Sequence, residues 1–433
     1  MTNSILIHRN KGNLLNDSET NNNNIVVDNC VIDDDDGGGG DGVGEKSKNL
    51  ECFRTNEFIV TNEITQEDLE RDDVPNWYNQ EERIDRHQDD DVKVDQSETF
   101  FRTPIVWRNI FTMTLIHVLG LYGWWWSIWY AKWQTMVWAY VIANLGGIGV
   151  LVGAHRLWTH RSFKARWPLR VVLMIAQTIA LQNDIYEWVR DHRVHHKYSE
   201  TDADPHNSRR GFFFAHVGWL LCRKHPDVKR KGAGIDMSDV WADPIVRFQR
   251  RFYIPLVLFF WGIFPISVPV YFWGENLYPM IIGNFFRYTI SLHHAWLVNS
   301  AAHIYGYQFF DRTLRPRENY MVTYLSLGEG YHNYHHTFPW DYSASEHGWK
   351  KCFNVATLFI DLMAWFGLAY DRRIVSREVI EKRAKRTGDL SIIPPLMNEK
   401  RQPVSVILDF ISGMLVSSWI LWVTFILSYF LRT

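Results

Sequence analysis

Residues 133–160 read WQTMVWAYVIANLGGIGVLVGAHRLWTH, an apolar run that ends in two histidines, His155 and His160. The part from Trp133 to Val152 has about 20 residues, the length a helix needs to cross the hydrocarbon of a bilayer. Histidines gather again downstream: RDHRVHHKYSE carries His192, His195 and His196, NSAAH ends on His303, and GEGYHNYHH carries His332, His335 and His336. Half of the 18 histidines thus sit in four short clusters, a pattern for which a packed core has no use.

Spacing turns the clusters into candidate ligands. Each helical residue advances about 100°, so positions i, i+3 and i+4 share a face, and both HxxHH triplets meet that condition. His155 and His160 lie five apart, about 140° round an α-helix, and converge only if the chain bends near His160. A neutral imidazole binds iron, zinc or copper through one ring nitrogen while a partner orients the other. So many rings exceed what one ion accepts, and two metals are expected. A single histidine is ordinarily a surface or core residue; His8, His87, His117, His206, His216, His225, His293, His294 and His347 are read that way.

The chain has 433 residues and a net charge of -2, room for two or three domains and no reason to expect a nucleic-acid partner. Cys30, Cys52, Cys222 and Cys352 form no CxxC pair, which fits a reducing compartment and argues against thiolate zinc. Aromatic residues reach 15%, with 21 Trp, and Trp and Tyr favour the membrane–water interface. The N-terminus, MTNSILIHRNKGNLLN, has no apolar stretch of signal-peptide length. Internal spans would have to direct insertion.

Residues 1–98 hold the runs Asn21–Asn24, Asp33–Asp36 and Gly37–Gly40 among few apolar positions, and such a composition is expected to be disordered. Residues 99–390 form the membrane domain, with spans expected at about 109–130, 133–152, 252–272 and 278–298. That makes two hairpins around a polar segment rich in Arg, Lys and His, including HNSRRG and RFQRR. By the positive-inside rule this segment and all four histidine clusters face the cytosol, as does the N-terminus. The run from Arg170 to Asn183 is too short to span and is expected in the interface or beneath the cytosolic region. Residues 391–433 are an extension whose apolar run, about 406–431, is interrupted by Asp409. It suits a fifth span or an anchor; the alternative is a helix lying on the surface.

Imidazoles with open positions suit redox iron better than structural zinc, and metals at the mouths of apolar helices point to an apolar substrate. Here a resemblance enters. The strings HRLWTHRSFKAR, QNDIYEWVRDHRVHHKYSETDADPHNSRRGFFFAHVGWLLCRKHP, NSAAHIYGY and GEGYHNYHHTFPWDY resemble the histidine boxes and flanks of the integral-membrane acyl-CoA desaturases of the stearoyl-CoA type. The likeness covers roughly residues 103–388 and leaves out both the leader and the terminal apolar run.

The resemblance implies an all-α membrane protein, with four transmembrane helices in two hairpins under a cytosolic helical cap that holds a nine-histidine di-iron site. One iron would take five histidines, and the other four plus a water held by Asn299. The acyl chain would lie in a bent apolar tunnel and the CoA on the cap, against Asn109, Asn183, Arg190, Asp191, Arg223, Lys224 and Trp296. Arg offers phosphate a planar fork and Lys a point charge. In such proteins the helix before the first histidine closes the tunnel. Here it carries Ala143, Gly146, Gly147, Gly149 and Gly153, so little bulk would block a long chain, although glycines also let helices pack closely.

The reaction implied is removal of two hydrogens from adjacent methylenes of a saturated fatty acyl-CoA, with O2 as oxidant and a cis double bond placed at Δ9. An 18-carbon chain is expected to be accepted. Within residues 99–390 no HPGG heme motif and no GxGxxG motif occurs, so electrons must come from outside, and the resemblance implies cytochrome b5 and its NADH-dependent reductase. It also implies the endoplasmic reticulum membrane. The nearest alternative is a membrane di-iron hydroxylase of fatty acids or sterols. A histidine-rich metal transporter is a non-enzymatic alternative, but it should carry ionisable groups inside its spans. An inactive relative is disfavoured, since all nine ligand positions are filled.

Overall fold

The computed structural model describes residues 61–64, 103–389, 391 and 403–432, and the chain is mostly helical over them. Of residues 1–98 only the strand Thr61–Ile64 is among them, paired in parallel with Arg372–Val375. The expected disorder of the leader otherwise falls outside the described residues.

Helix α1 (Trp107–Tyr130) gives way to extended backbone at Ala131 and Lys132, and α2 starts at Trp133. The start of α2 leaves backbone N–H groups without helical partners. Buried Glu275 fixes this entry, accepting from Lys132 N, one residue before the helix, at 2.9 Å and from the Thr135 hydroxyl, Oγ1, at 2.5 Å. Lys132 Nζ reaches the carbonyl of Gly274 at 3.1 Å, so two chain turns are tied at this end of the bundle. Helix α2 runs to Thr159, and its last part, Gly149–Thr159, is a π-helix. His160 N closes the widened turn on His155 O at 3.1 Å, and Arg161 then reverses the chain with φ +52°.

Next come α3 (Trp167–Ala180), packed on α2, and α4 (Ile185–Lys197), capped by Asp184 through Glu187 N at 3.1 Å. The apolar face of α3, with Leu169 and Leu173, is buried in the main core with Ile185 and Val189 of α4. This short apolar run therefore packs against the histidine-bearing α4. Helix α5 (Tyr253–Trp273) and α6 (Leu277–Ile304) follow, joined by Gly274, Glu275 and Asn276. Helix α6 lies along α1 at close range: a Cβ on Gly120 would sit 2.5 Å from Thr289 Oγ1, and one on Gly123 2.6 Å from Ile282 O. Only glycine permits that approach.

Two of the four expected spans, α2 and α5, have both the length and the apolarity to cross a membrane. The other two, α1 and α6, have the length at 24 and 28 residues. Their hydropathy is lower because α1 includes Arg108, Asn109 and His117, and α6 includes Asn284, Arg287, His293 and His294.

Among the further helices are α7 (His332–Thr337), α8 (Val355–Trp365), α9 (Arg377–Thr387), α10 (Pro403–Ser417) and α11 (Trp419–Arg432). The last two meet at 60°. Asp409, the charge that interrupts this apolar run, accepts from Tyr324 Oη at 2.5 Å and from Phe353 N at 2.8 Å. At the opposite end Arg432 Nε donates to Ile128 O at 2.8 Å, near the last turn of α1. The pair therefore runs alongside the other helices, from the histidine-bearing end of the molecule to the tied turns, rather than lying apart on the surface.

Candidate metal centre

All nine histidines of the four clusters converge, and they do so as two groups. His155, His160, His192, His196 and His335 form one, and His195, His303, His332 and His336 the other; within each group the ligand-type atoms lie within 4.8 Å of one another. In the first group His335 Nε2 is 2.9 Å from His155 Nε2 and 3.1 Å from His196 Nε2, while His160 and His192 meet at 3.2 Å. In the second, His332 Nε2 lies 2.9 Å from His303 Nε2 and 3.2 Å from His336 Nε2. All are buried except His192, which is half-buried.

Local geometry delivers each ring. The π-turn narrows the angle between positions five apart, which in an α-helix would be about 140°; His155 and His160 reach a ring separation of 4.7 Å. The bend expected near His160 is this turn and the reversal at Arg161. Arg193, between the ligands of α4, is fully buried and grips Asp239 with both Nη atoms at 2.9 and 2.7 Å, and Nη2 also reaches Trp158 O at 2.9 Å. It fastens α4 to the end of α2. In α7 the residue between the ligands, Asn333, is also fully buried. Its Oδ1 accepts from Phe310 N and Asp311 N at 2.8 and 3.0 Å, and its Nδ2 donates to Asp311 O and Pro316 O at 2.9 and 3.0 Å.

The two HxxHH triplets are interleaved. The i and i+4 members of α4, His192 and His196, go to the first group and His195 to the second. In α7 the assignment is reversed, with His332 and His336 in the second group and His335 in the first.

Protonation chemistry tests whether these residues fit metal ions. A neutral imidazole has one N–H, and the partner of one nitrogen decides what the other presents. His155 Nδ1 lies 3.1 Å from Glu329, His195 Nδ1 2.9 Å from Asp204, and His303 Nδ1 2.8 Å from Glu200. A carboxylate only accepts, so these rings donate from Nδ1 and turn a bare Nε2 lone pair inward. Burial, and then the charges of neighbouring histidines, holds His160, His192, His196, His332, His335 and His336 well below the ordinary imidazole pKa. The rings are neutral donors, and lone pairs this close repel unless a cation sits among them. The donor set fits two metal ions of the kind imidazole prefers.

Three carboxylates thus belong to the centre and were not singled out from the sequence. Burial raises the Glu329 carboxyl, but Arg156 at 2.6 Å and His155 outweigh it and hold it at about 2. Burial likewise raises Glu200, and His303 brings it below the ordinary value. His206, read from the sequence as an ordinary residue, is buried beside His195 at a ring separation of 4.2 Å, and groups with His195 and Asp204. The visible signal was the run ETDADPH just after the α4 triplet. His117, His216 and His293 also form a string, with His216 Nε2 2.9 Å from His293 Nδ1 and His117 Nε2 3.2 Å from His293 Nε2. Nothing in their spacing announced it.

The expected substrate contacts fall in two places. Arg190 and Lys224 both pair with Asp191, and Arg223 beside them is exposed with its backbone N bonded to Pro104 O at 2.9 Å. Asn183 adopts φ +66° just before α4, and Asn109 Nδ2 donates to Leu220 O at 2.8 Å. Trp296 is buried one turn before Asn299, itself one turn before His303, and packs against the histidine string. A cavity of about 120 Å³ runs beside α2, from Tyr140 through Ala143 and Gly147 to Leu151, a turn short of His155. Both uses of the glycines are present. A Cβ on Gly149 would overlap the backbone of Gln177 in α3, whereas one on Gly147 would meet only Leu327 Cδ1, at 3.5 Å.

Comparison with known proteins agrees with this geometry. Residues 131–347 match the family model for fatty acid desaturase. The stearoyl-CoA desaturase of Sus scrofa is 58% identical over 287 residues, 66% of this chain and 79% of the relative. That of Homo sapiens is 55% identical over 285 residues, again 66% and 79%. Stearoyl-CoA desaturase 5 of Bos taurus is 54% identical over 291 residues, 66% of this chain and 85% of the relative. With every one of the nine converging histidines inside the matched residues, the chain belongs to the fatty acid desaturase family, as a membrane acyl-CoA desaturase.

Proposed function

We propose that the protein places a cis double bond at Δ9 of saturated 16- and 18-carbon acyl-CoA, with one iron in each histidine group. The observation that carries this reading is the pair of adjacent imidazole groups, oriented by buried carboxylates, at the end of an apolar helix lined by a cavity. When bound, the irons supply the activation of O2 that removal of two unactivated hydrogens requires. The protein's residues do the rest. The five-histidine group and the four-histidine group would hold one ion each, and Asn299 would keep a water at the second. Glu200, Asp204 and Glu329 keep His303, His195 and His155 in the tautomer that binds.

Substrate placement follows from the same surfaces. Arg190, Arg223 and Lys224 take the CoA phosphates at the cap, with Asp191 holding Arg190 and Lys224 in place. Asn109, Asn183 and Trp296 line the way in, and the chain follows α2 past Gly147 toward Ala143. The small side chains there support acceptance of 18 carbons. Helices α1 and α6 span with α2 and α5, His117 of α1 meeting His293 of α6 and Asn284 of α6 donating to Trp261 O of α5. The chain resides in the endoplasmic reticulum with the metal centre facing the cytosol, where cytochrome b5 and its NADH-dependent reductase deliver electrons.

Expression in a desaturase-deficient cell, followed by location of the double bond in the products, tests the reading. Growth on saturated precursors with Δ9 products supports it. Hydroxylated products, or a double bond elsewhere, would overturn it.

A further inference from the structure

The helix pair α10 and α11 lies outside the residues that the family model matches, yet it reaches the cavity beside α2. Ser417, Ile420 and Leu421 line it together with Tyr140, Ala143 and Gly147. The contact is fastened at several points. Tyr140 Oη is 2.8 Å from Ser417 Oγ, and Trp124 Nε1 donates to the fully buried Thr424 Oγ1 at 2.9 Å. Asp409 holds the other end through Tyr324 and Phe353 N. Gly413 lies so close to the Phe353 ring that a Cβ there would overlap it. A helix bound only by contact with lipid would have no need of these matched polar pairs or of that close approach.

Geometry then decides what the pair does. Ala143 precedes His155 by twelve positions, roughly 18 Å along a helix, so the cavity at Ala143 is remote from the metal centre. Ala143 and Gly147 leave the middle of the α2 side with little bulk, and at its far end Tyr140 is bonded to Ser417 of the terminal pair. The space has to end against something else, and side chains of the 60° bend between α10 and α11 border it. We propose that this terminal helix pair is the far wall of the acyl-chain tunnel and that Ser417, Ile420 and Leu421 set the longest chain the enzyme accepts. The proposal rests on the reading of the cavity as the tunnel end. It places the length-determining residues in the extension rather than in α2 alone.

Full-length variants expressed in desaturase-deficient cells and supplied with 14-, 16-, 18- and 20-carbon saturated acyl chains test it. Leu421→Trp fills the cavity from the extension side and should lower conversion of 18-carbon relative to 14-carbon chains by about ten-fold. Leu421→Ala should raise 20-carbon relative to 18-carbon conversion several-fold. Ile426→Trp, on the same helix but exposed and away from the cavity, should leave both ratios as in the parent. The 14-carbon rate reports folded enzyme within each variant, so a loss of protein is not mistaken for a change of selectivity. If Gly147→Leu shifts the ratios and neither Leu421 variant does, the tunnel reading survives and the terminal wall is overturned. If Gly147→Leu and both Leu421 variants leave the ratios unchanged while Δ9 products form, the assignment of the cavity fails and the proposal with it.

Discussion

Asp204 has both carboxylate oxygens committed to donors: Oδ1 accepts from His195 Nδ1 and His206 N at 2.9 and 3.1 Å, and Oδ2 from Glu200 N at 2.9 Å. Asn at this position keeps the shape but offers one acceptor, so its amide NH2 must face an N–H. Asp204→Asn is therefore expected to weaken metal retention about 10–100-fold, measured as metal per protein after dialysis against a chelator, with turnover falling in step. Unchanged metal content would show that Asp204 does not orient His195. The nine histidines were legible because helical spacing is a property of neighbours in sequence. Their carboxylate partners were less so: Glu329 stands 174 positions from His155 and Glu200 103 from His303, and only the folded chain brings them together.

At the scale of an element, α2 carries the most meaning. Beyond the span expected to about Val152 the helix continues as a π-helix to Thr159 and carries the first histidine with it. Period alone does not announce that transition. The same helix contains glycines of two kinds, and substitution should separate them. Gly149→Leu drives a side chain into the backbone of α3 at Gln177 and is expected to abolish recovery of folded protein, read as loss of the monodisperse peak in detergent chromatography. Gly147→Leu faces Leu327 and the cavity and should leave that peak in place while changing chain-length selectivity. Equal loss in both variants would mean that Gly147 is a packing glycine as well. The sequence showed the glycines but not the neighbours that distinguish them.

Across the whole molecule, the terminal helix pair sets the topology. Asp409 is held near the histidine-bearing end, and Arg432 is bonded to Ile128 O by the tied turns at the other. Neither half alone has the roughly 20 residues a straight span needs, and we propose that the pair crosses as one bent segment. A tag after Thr433 should thus lie on the opposite side of the membrane from the metal centre. Protease treatment of sealed microsomes should remove an epitope placed at exposed Ala233 and Gly234 before permeabilisation but spare the C-terminal tag; equal cleavage of both would refute the crossing. The apolar length of this run was plain in the sequence. Its destination was not, because the partners of Asp409, Ser417 and Thr424 all lie in other parts of the chain.

The interleaved triplets carry one more consequence. Helices α4 and α7 each supply an i, i+4 pair to one histidine group and the residue between to the other, so a tilt of either helix displaces ligands of both ions at once. The first ion to settle pre-aligns rings for the second and removes part of the ordering cost that the second would otherwise meet. Loading is therefore expected to be positively cooperative, read as metal per protein during stepwise chelation: joint loss of both ions would support it, and a stable half-loaded species would refute it.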